Sequence, residues 1–91
     1  MKTLLTKGQK ELQGKVFNVV QNLQRENGYI KGYGSQDRVM TSDHRPINNI
    51  HRDLTKCLKF NGLIQQTALH FIPTEKLHTI KRAENIEIDV S

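Results

Sequence analysis

Apolar residues recur at helical spacing along the first third of the chain. The residues of this stripe are Leu12, Val16, Val19, Val20 and Leu23. Thr6, with Gln9 three residues later, has the sequence of a capping box. Asn27-Gly28 follows the last periodic residue and has the composition of a helix C-terminal cap. The pattern therefore predicts a helix from about Lys7 to Glu26.

A second helical pattern covers residues 48–61, with Asn48 or Asn49 as the N-terminal cap and Gly62 as the left-handed terminator. Its apolar stripe consists of Ile50, Leu54, Cys57 and Leu58. On a helical wheel, the opposite side holds Asn49, Arg52, Lys56 and Lys59. We expect Cys57 to behave as a small buried hydrophobe rather than as a nucleophile.

The segment between these helices is glycine-rich and predicts a small hairpin or an extended loop over residues 28–47, with a short strand at 38–41. Residues 63–72 predict a tight hairpin that turns at Thr67-Ala68.

The last third of the chain begins where Pro73 ends that hairpin. Thr74 is placed to cap a short helix through about residue 82, with Leu77 and Ile80 facing inward. The tail at 85–91 alternates apolar and polar residues and predicts a strand with one buried face.

Together these elements predict one α+β domain over residues 1–91, in the order helix, short hairpin, helix, hairpin, short helix, terminal strand. Its core spans about residues 6–82, and residues 83–91 form either a tail strand or a disordered end. A tail strand needs a sheet edge, so a two-fold homodimer and a monomer with a frayed tail are both open.

The charge of the chain changes what partners are expected. Net charge is +5 and the sequence pI is about 9.6, a balance that favours polyanions. A single cysteine excludes an internal disulfide framework and fits a reducing compartment. No apolar run is long enough for a signal peptide or a membrane span. We therefore expect a soluble cytoplasmic protein without a membrane partner.

The basic side of the second helix has the chemistry to contact nucleic acid. Lysine and arginine neutralise phosphates, and asparagine and arginine can read base edges. The candidate contact residues are Asn49, Arg52, Lys56 and Lys59, with Arg45 from the preceding turn. The alternatives are an ordinary solvated helix face, or a protein-interaction module that binds an acidic partner through the same face. From the wheel alone, we expect Arg52→Ala to leave stability nearly unchanged.

The run from residue 50 to residue 64 resembles the end of a winged-helix recognition helix. In that family the helix ends in a Gly-Leu-Ile-like step, here Gly62-Leu63-Ile64, and a two-stranded wing follows. A Leu/Ile-x-Thr segment comes next, and Phe71-Ile72-Pro73-Thr74 stands in that place. The resemblance covers about residues 47–80. The sequence departs from the winged-helix pattern in two ways. It lacks a full helix before residue 48, and its wing, at residues 66–68, is very short.

The turn before this helix also resembles small domains of phages and mobile elements, in which an Asp-x-Arg-Pro-Ile-x-Asn-type turn leads into a helix. The residues that carry this likeness are Asp43, Arg45, Pro46, Ile47 and Asn49. The two resemblances imply non-catalytic nucleic-acid binding, with duplex DNA favoured, in a small regulator of transcription from a phage or mobile element.

Other candidate chemistry in the sequence is weak. The histidines and Cys57 lack the paired spacing of structural zinc, and no base accompanies the thiol. Gly32-Tyr33-Gly34 does not follow a strand and open a helix as a phosphate loop does. We expect no enzyme activity, no cofactor and no metal. Tyr29 and Tyr33 flank Lys31, and they either stack on bases or, as we favour, pack over the edge of the core.

Overall fold

The computed structural model describes residues 4–88. Two α-helices and five strands follow one another as α1 (Lys7–Glu26), β1 (Tyr29–Tyr33), β2 (Gln36–Met40), β3 (Pro46–Ile50), α2 (Arg52–Phe60), β4 (Ile64–Gln66) and β5 (Phe71–Pro73). Two 3₁₀ helices, Glu75–Thr79 and Ala83–Asn85, come after them. The strands form one antiparallel sheet in the order β3-β2-β1-β5-β4. The predicted α+β class is confirmed.

Helix α1 has the bounds that its sequence predicts. The Thr6 hydroxyl accepts a hydrogen bond from the Gln9 backbone N–H, and the Gln9 side chain accepts one from the Thr6 N–H. Asn27 ends the helix in the left-handed conformation, with φ of 48°. Gly28 then passes so close to β2 that a Cβ there would lie 2.0 Å from the Met40 carbonyl oxygen. The chain therefore enters the sheet at a point that only glycine fits.

The prediction for residues 28–47 is incomplete, because this segment and the three residues after it form three strands. β1 and β2 pair directly from Tyr29↔Met40 to Tyr33↔Gln36. β3 then returns along the other edge of β2, as far as Ile50 opposite Asp37. A three-stranded meander thus precedes the second helix.

The predicted start of the second helix at residue 48 is wrong. Asn48 and Asn49 belong to β3, where their backbone pairs with β2, so α2 begins only at Arg52. His51 is the cap, and its Nδ1 accepts a hydrogen bond from the Asp53 N–H at 3.1 Å. The predicted terminator is confirmed, since Gly62 has φ of 71°.

The sheet has one face packed on the helices and one face open. Side chains alternate along each strand, so Ile30, Val39 and Ile50 share the packed face. They meet buried residues of both helices, including Leu23 and Leu58. Tyr29, Lys31, Tyr33, Arg38 and Asn49 lie on the opposite face. We call that opposite side the open face.

The β4–β5 hairpin forms as predicted, although its turn covers Thr67–His70 rather than Thr67-Ala68 alone. The hairpin joins the meander between β1 and β5. In the described part of the chain, that seam consists of a single register pair, Ile30↔Phe71.

The predicted short helix after Thr74 is a 3₁₀ helix that ends at Thr79, and Leu77 and Ile80 are buried as expected. It is three residues shorter than the predicted end at residue 82.

The predicted terminal strand at 85–91 is wrong over residues 85–88, and residues 89–91 lie outside the described part. Residue 85 ends a 3₁₀ helix, and Ile86 is buried against the core. The Asn61 amide donates to the Glu87 carbonyl at 2.9 Å and accepts from the Glu87 N–H at 2.7 Å. The Gln13 amide donates to the Ile86 carbonyl at 2.9 Å. Side-chain amides therefore bind the backbone groups that a neighbouring strand would have bound.

Candidate nucleic-acid interface

Three of the predicted contact residues lie together on the exposed side of α2. Arg52, Lys56 and Lys59 are spaced by four and three residues, so they project from one side of the helix. They line an open depression whose other wall includes Gly32 of β1 and Phe71 of β5. The Lys59 ammonium lies 5.7 Å from the centroid of the Phe71 ring. We call Arg52, Lys56 and Lys59 the cationic face of α2.

Arg52 differs from the two lysines because protein groups already hold its guanidinium. Nη2 donates to the Gly34 carbonyl at 2.7 Å, and Nε lies 3.7 Å from a carboxylate oxygen of Asp37. Asp37 is only 4% exposed, and its other oxygen accepts from the Thr55 hydroxyl at 2.7 Å. Arg52 therefore fixes the start of α2 to the β1–β2 turn. This bridge argues against the expectation, drawn from the helical wheel, that Arg52→Ala leaves stability nearly unchanged.

The other two predicted contact residues lie elsewhere. Asn49 is on the open face, where its amide oxygen accepts from Arg38 Nε at 2.9 Å. Arg45 is in the β2–β3 turn, at the end of β2 away from the start of α2, and pairs with Asp43 at 3.0 Å. A hydrogen bond from the Thr41 hydroxyl, aided by the Arg45 charge, lowers the pKa of the Asp43 carboxyl. The five candidates therefore do not form one continuous surface.

The open face holds a second group of functional side chains, on the central strand of the sheet. Tyr29, Lys31 and Tyr33 alternate along β1 and so project from the same side. Tyr33 is 53% exposed, and the Arg38 guanidinium carbon lies 3.6 Å from its ring centroid. Packing over the core edge, which we favoured for both tyrosines, thus does not describe Tyr33.

Tyr29 is half-buried, and imidazoles surround it. Its ring centroid lies 4.5 Å from that of His70, and its hydroxyl is 2.7 Å from Nδ1 of His44. Tyr29 therefore has the packed environment expected from the sequence, four residues away from the exposed Tyr33. The glycines around Tyr33 indicated a loop, so the strand was not predicted. The spacing of Tyr29, Lys31 and Tyr33 by two residues was a signal for a strand.

Cys57 lies at an apolar groove between the helices, with Leu12, Phe60 and Ile88. Burial raises the pKa of the Cys57 thiol, an effect opposite to the activation that a nucleophile needs. Within residues 4–88, no group of three or more His, Cys, Asp or Glu side chains is placed to hold a metal ion. No helix in that range has both the length and the apolar character required to cross a membrane.

Comparison of the chain with protein-family models, with curated proteins and with solved structures gives no significant match.

Proposed function

We propose that this protein binds nucleic acid without catalysing a reaction on it, and that the cationic face of α2 contacts the phosphates of duplex DNA. The observation that carries the proposal is the convergence of Arg52, Lys56 and Lys59 on one side of a short helix, in a chain of net charge +5. Lys59 is seven positions after Arg52, which corresponds to about 10 Å along the helix axis. That length covers about three phosphates of one strand along a duplex axis.

The three cations have different roles. Arg52 is held by Gly34 and Asp37, so it orients the helix and offers only part of its charge to a ligand. Lys56 and Lys59 are exposed, and neither forms a salt bridge with another residue of the described range 4–88. Lys56 and Lys59 therefore supply most of the phosphate attraction.

The order of elements after α2 supports the proposal in part. Helix α2 leads directly into the β4–β5 hairpin, as a recognition helix leads into a wing. Before α2, however, the meander β1–β3 stands where the winged-helix family has a helix. Charge and exposure therefore support the proposal more than the resemblance does. Two further parts of the proposal rest on the sequence alone. They are a regulatory role in a phage or mobile element, and a cytoplasmic location.

A second candidate function is binding of an acidic protein, favoured by one observation. Phe60, the last residue of α2, is 57% exposed at the mouth of the apolar groove that Lys56 also lines. An exposed aromatic beside a cation suits a peptide with apolar and acidic side chains.

The test compares two variants of equal net charge. Lys56→Gln with Lys59→Gln removes the free charges of the cationic face. Lys76→Gln with Lys81→Gln removes two exposed charges after the sheet. Binding to a labelled random-sequence duplex is measured by fluorescence anisotropy over a salt series, with circular dichroism to show that each variant is folded.

We expect the first pair to weaken binding and to lower the salt slope by about two units, one for each phosphate contact. The second pair should behave nearly as the wild type does. Equal losses in both pairs, or no wild-type binding at low salt, would contradict the proposal. If an acidic peptide binds instead and Phe60→Ala abolishes that binding, the second candidate is correct.

A further inference from the structure

We propose that the open face of the sheet is a separate binding site for unpaired nucleotides, DNA or RNA, in which bases stack at Tyr33. This inference goes beyond duplex binding by α2, because it uses the side of the sheet opposite the helices. Its components are an exposed aromatic ring, two cations and a side-chain amide, all on neighbouring strands.

Tyr33 is the stacking group. About half of the residue is exposed, at 53%, although it lies in a central strand of the sheet. Arg38 on β2 places its guanidinium over the ring, 3.6 Å from the centroid, which fixes the ring, covers one of its faces and adds a planar cation to the stack. Nucleic-acid bases stack on both kinds of plane, aromatic and guanidinium.

Charges and hydrogen-bonding groups surround the ring in a way that suits a nucleotide strand. Lys31 lies two residues before Tyr33 on the same face, about 7 Å away along the strand. The Asn49 amide oxygen accepts from Arg38, which orients Asn49 and leaves its NH₂ group to donate to a base. The described strand residues of the open face include no aspartate or glutamate. The surface therefore complements a polyanion and does not repel it.

Unpaired nucleotides fit this surface better than a duplex does. A base in a duplex is already stacked on both sides, so a side-chain ring can reach its face only when the base is unstacked. A sheet surface with a projecting ring and cations near it offers stacking and backbone attraction together. An acidic peptide would satisfy the cations but would leave Tyr33 without a stacking partner.

The experiment measures binding of labelled single-stranded oligothymidylate to the full chain. Tyr33→Ala removes the ring, and Tyr33→Phe keeps it. Phe60→Ala is the matched control, because Phe60 is similarly exposed, at 57%, but lies at the end of α2. We expect Tyr33→Ala to raise the Kd about 5- to 150-fold, the usual effect of losing one stacked base. Tyr33→Phe and Phe60→Ala should stay within a factor of about two of the wild type, well below that range.

A spectroscopic measurement separates stacking from a general loss of charge or fold. The chain has two tyrosines and no tryptophan, so Tyr29→Phe leaves Tyr33 as its only tyrosine. Titration of this variant with oligothymidylate should quench its tyrosine emission, because the bound base covers the ring. Repeating the titration with oligouridylate compares RNA with DNA, and quenching by either one supports the site.

Three results with oligonucleotides would overturn the inference: no binding at low salt, equal losses in Tyr33→Ala and Phe60→Ala, or unchanged emission at saturation. Failure of this inference can be distinguished from failure of the proposal that α2 binds duplex DNA. Lys56→Gln with Lys59→Gln should weaken duplex binding, while single-strand binding should fall no more than in the Lys76→Gln with Lys81→Gln pair. Binding of polyglutamate in place of oligothymidylate would also reject this inference.

Discussion

The two faces of the sheet carry opposite kinds of side chain, although the same strands form both. On β1, Ile30 is fully buried against the helices, whereas Tyr33 on the other side is 53% exposed. The packed face holds aliphatic side chains, the partly buried Phe71 and the buried Asp37, whose hydrogen bond with Thr55 is made inside the protein. The open face holds aromatic, cationic and amide groups, and also Met40, which lies opposite Tyr29 and is 7% exposed. Strand alternation therefore separates the residues that stabilise this domain from those available to bind a ligand.

The sharpest test of this difference uses adjacent residues of β1. Ile30→Ala should lower the free energy of unfolding by about 2–5 kcal/mol, because it removes a buried side chain and leaves a cavity. Lys31→Ala, on the open face, should change it by less than about 0.5 kcal/mol. Urea denaturation followed by circular dichroism measures both values. Similar losses in the two variants would show that something packs against the open face.

A smaller effect is expected from the polar group within the packed face. Thr55→Val keeps the side-chain shape but removes the hydroxyl that donates to buried Asp37. The carboxylate then keeps only the longer contact with Arg52, and we expect a loss of about 1–3 kcal/mol. Thr79→Val is the control, because that threonine is exposed and its hydroxyl can be replaced by water. A neutral Thr55→Val would mean that the contact with Arg52 alone satisfies Asp37.

The smallest effect on stability is expected for Cys57. Its side chain is half-buried, between the fully buried side chains of the packed face and the exposed ones of the open face. Its raised pKa means that, at mildly alkaline pH, less thiolate is present in the folded chain than in the unfolded chain. Alkylation by iodoacetamide should therefore be slower in buffer than in urea at the same pH. The unfolded chain also loses this proton first, so stability should fall as pH rises through the thiol range. In Cys57→Ala, the free energy of unfolding should fall less over that pH range than it does in the wild type. Equal pH profiles of unfolding free energy for the two proteins would contradict this prediction.

Local signals in the sequence predicted the parts of the fold whose contacts are local. The capping box of Thr6 and Gln9 and the left-handed Gly62 are short-range features, and both mark the helix ends where they occur. The segment 46–50 was misassigned because its two asparagines are common helix caps. Its strand conformation depends on pairing with β2, a tertiary contact that residue preferences do not encode.

In the candidate site, too, the sequence predicted only what depends on local contacts. The helical wheel brought Lys56 and Lys59 together correctly, since both lie within α2. It could not show that Arg52 is bound by Asp37, because that carboxylate comes from another element. The open face escaped prediction for a similar reason. Tyr33 lies between two glycines, which indicate a loop until the pairing of β1 with β2 is known.

The narrow seam between β1 and β5 has a consequence for how the domain opens. The two residues of its register pair, Ile30 and Phe71, are 41 positions apart, whereas the other described strand pairs join consecutive strands. Contacts so distant in sequence form late in folding, after the loop between them has closed. We therefore expect the β4–β5 hairpin and the meander to unfold as two separate cooperative units. In native-state hydrogen exchange, amides of β5 should exchange through a partial opening of lower free energy, while those of β2 should await global unfolding.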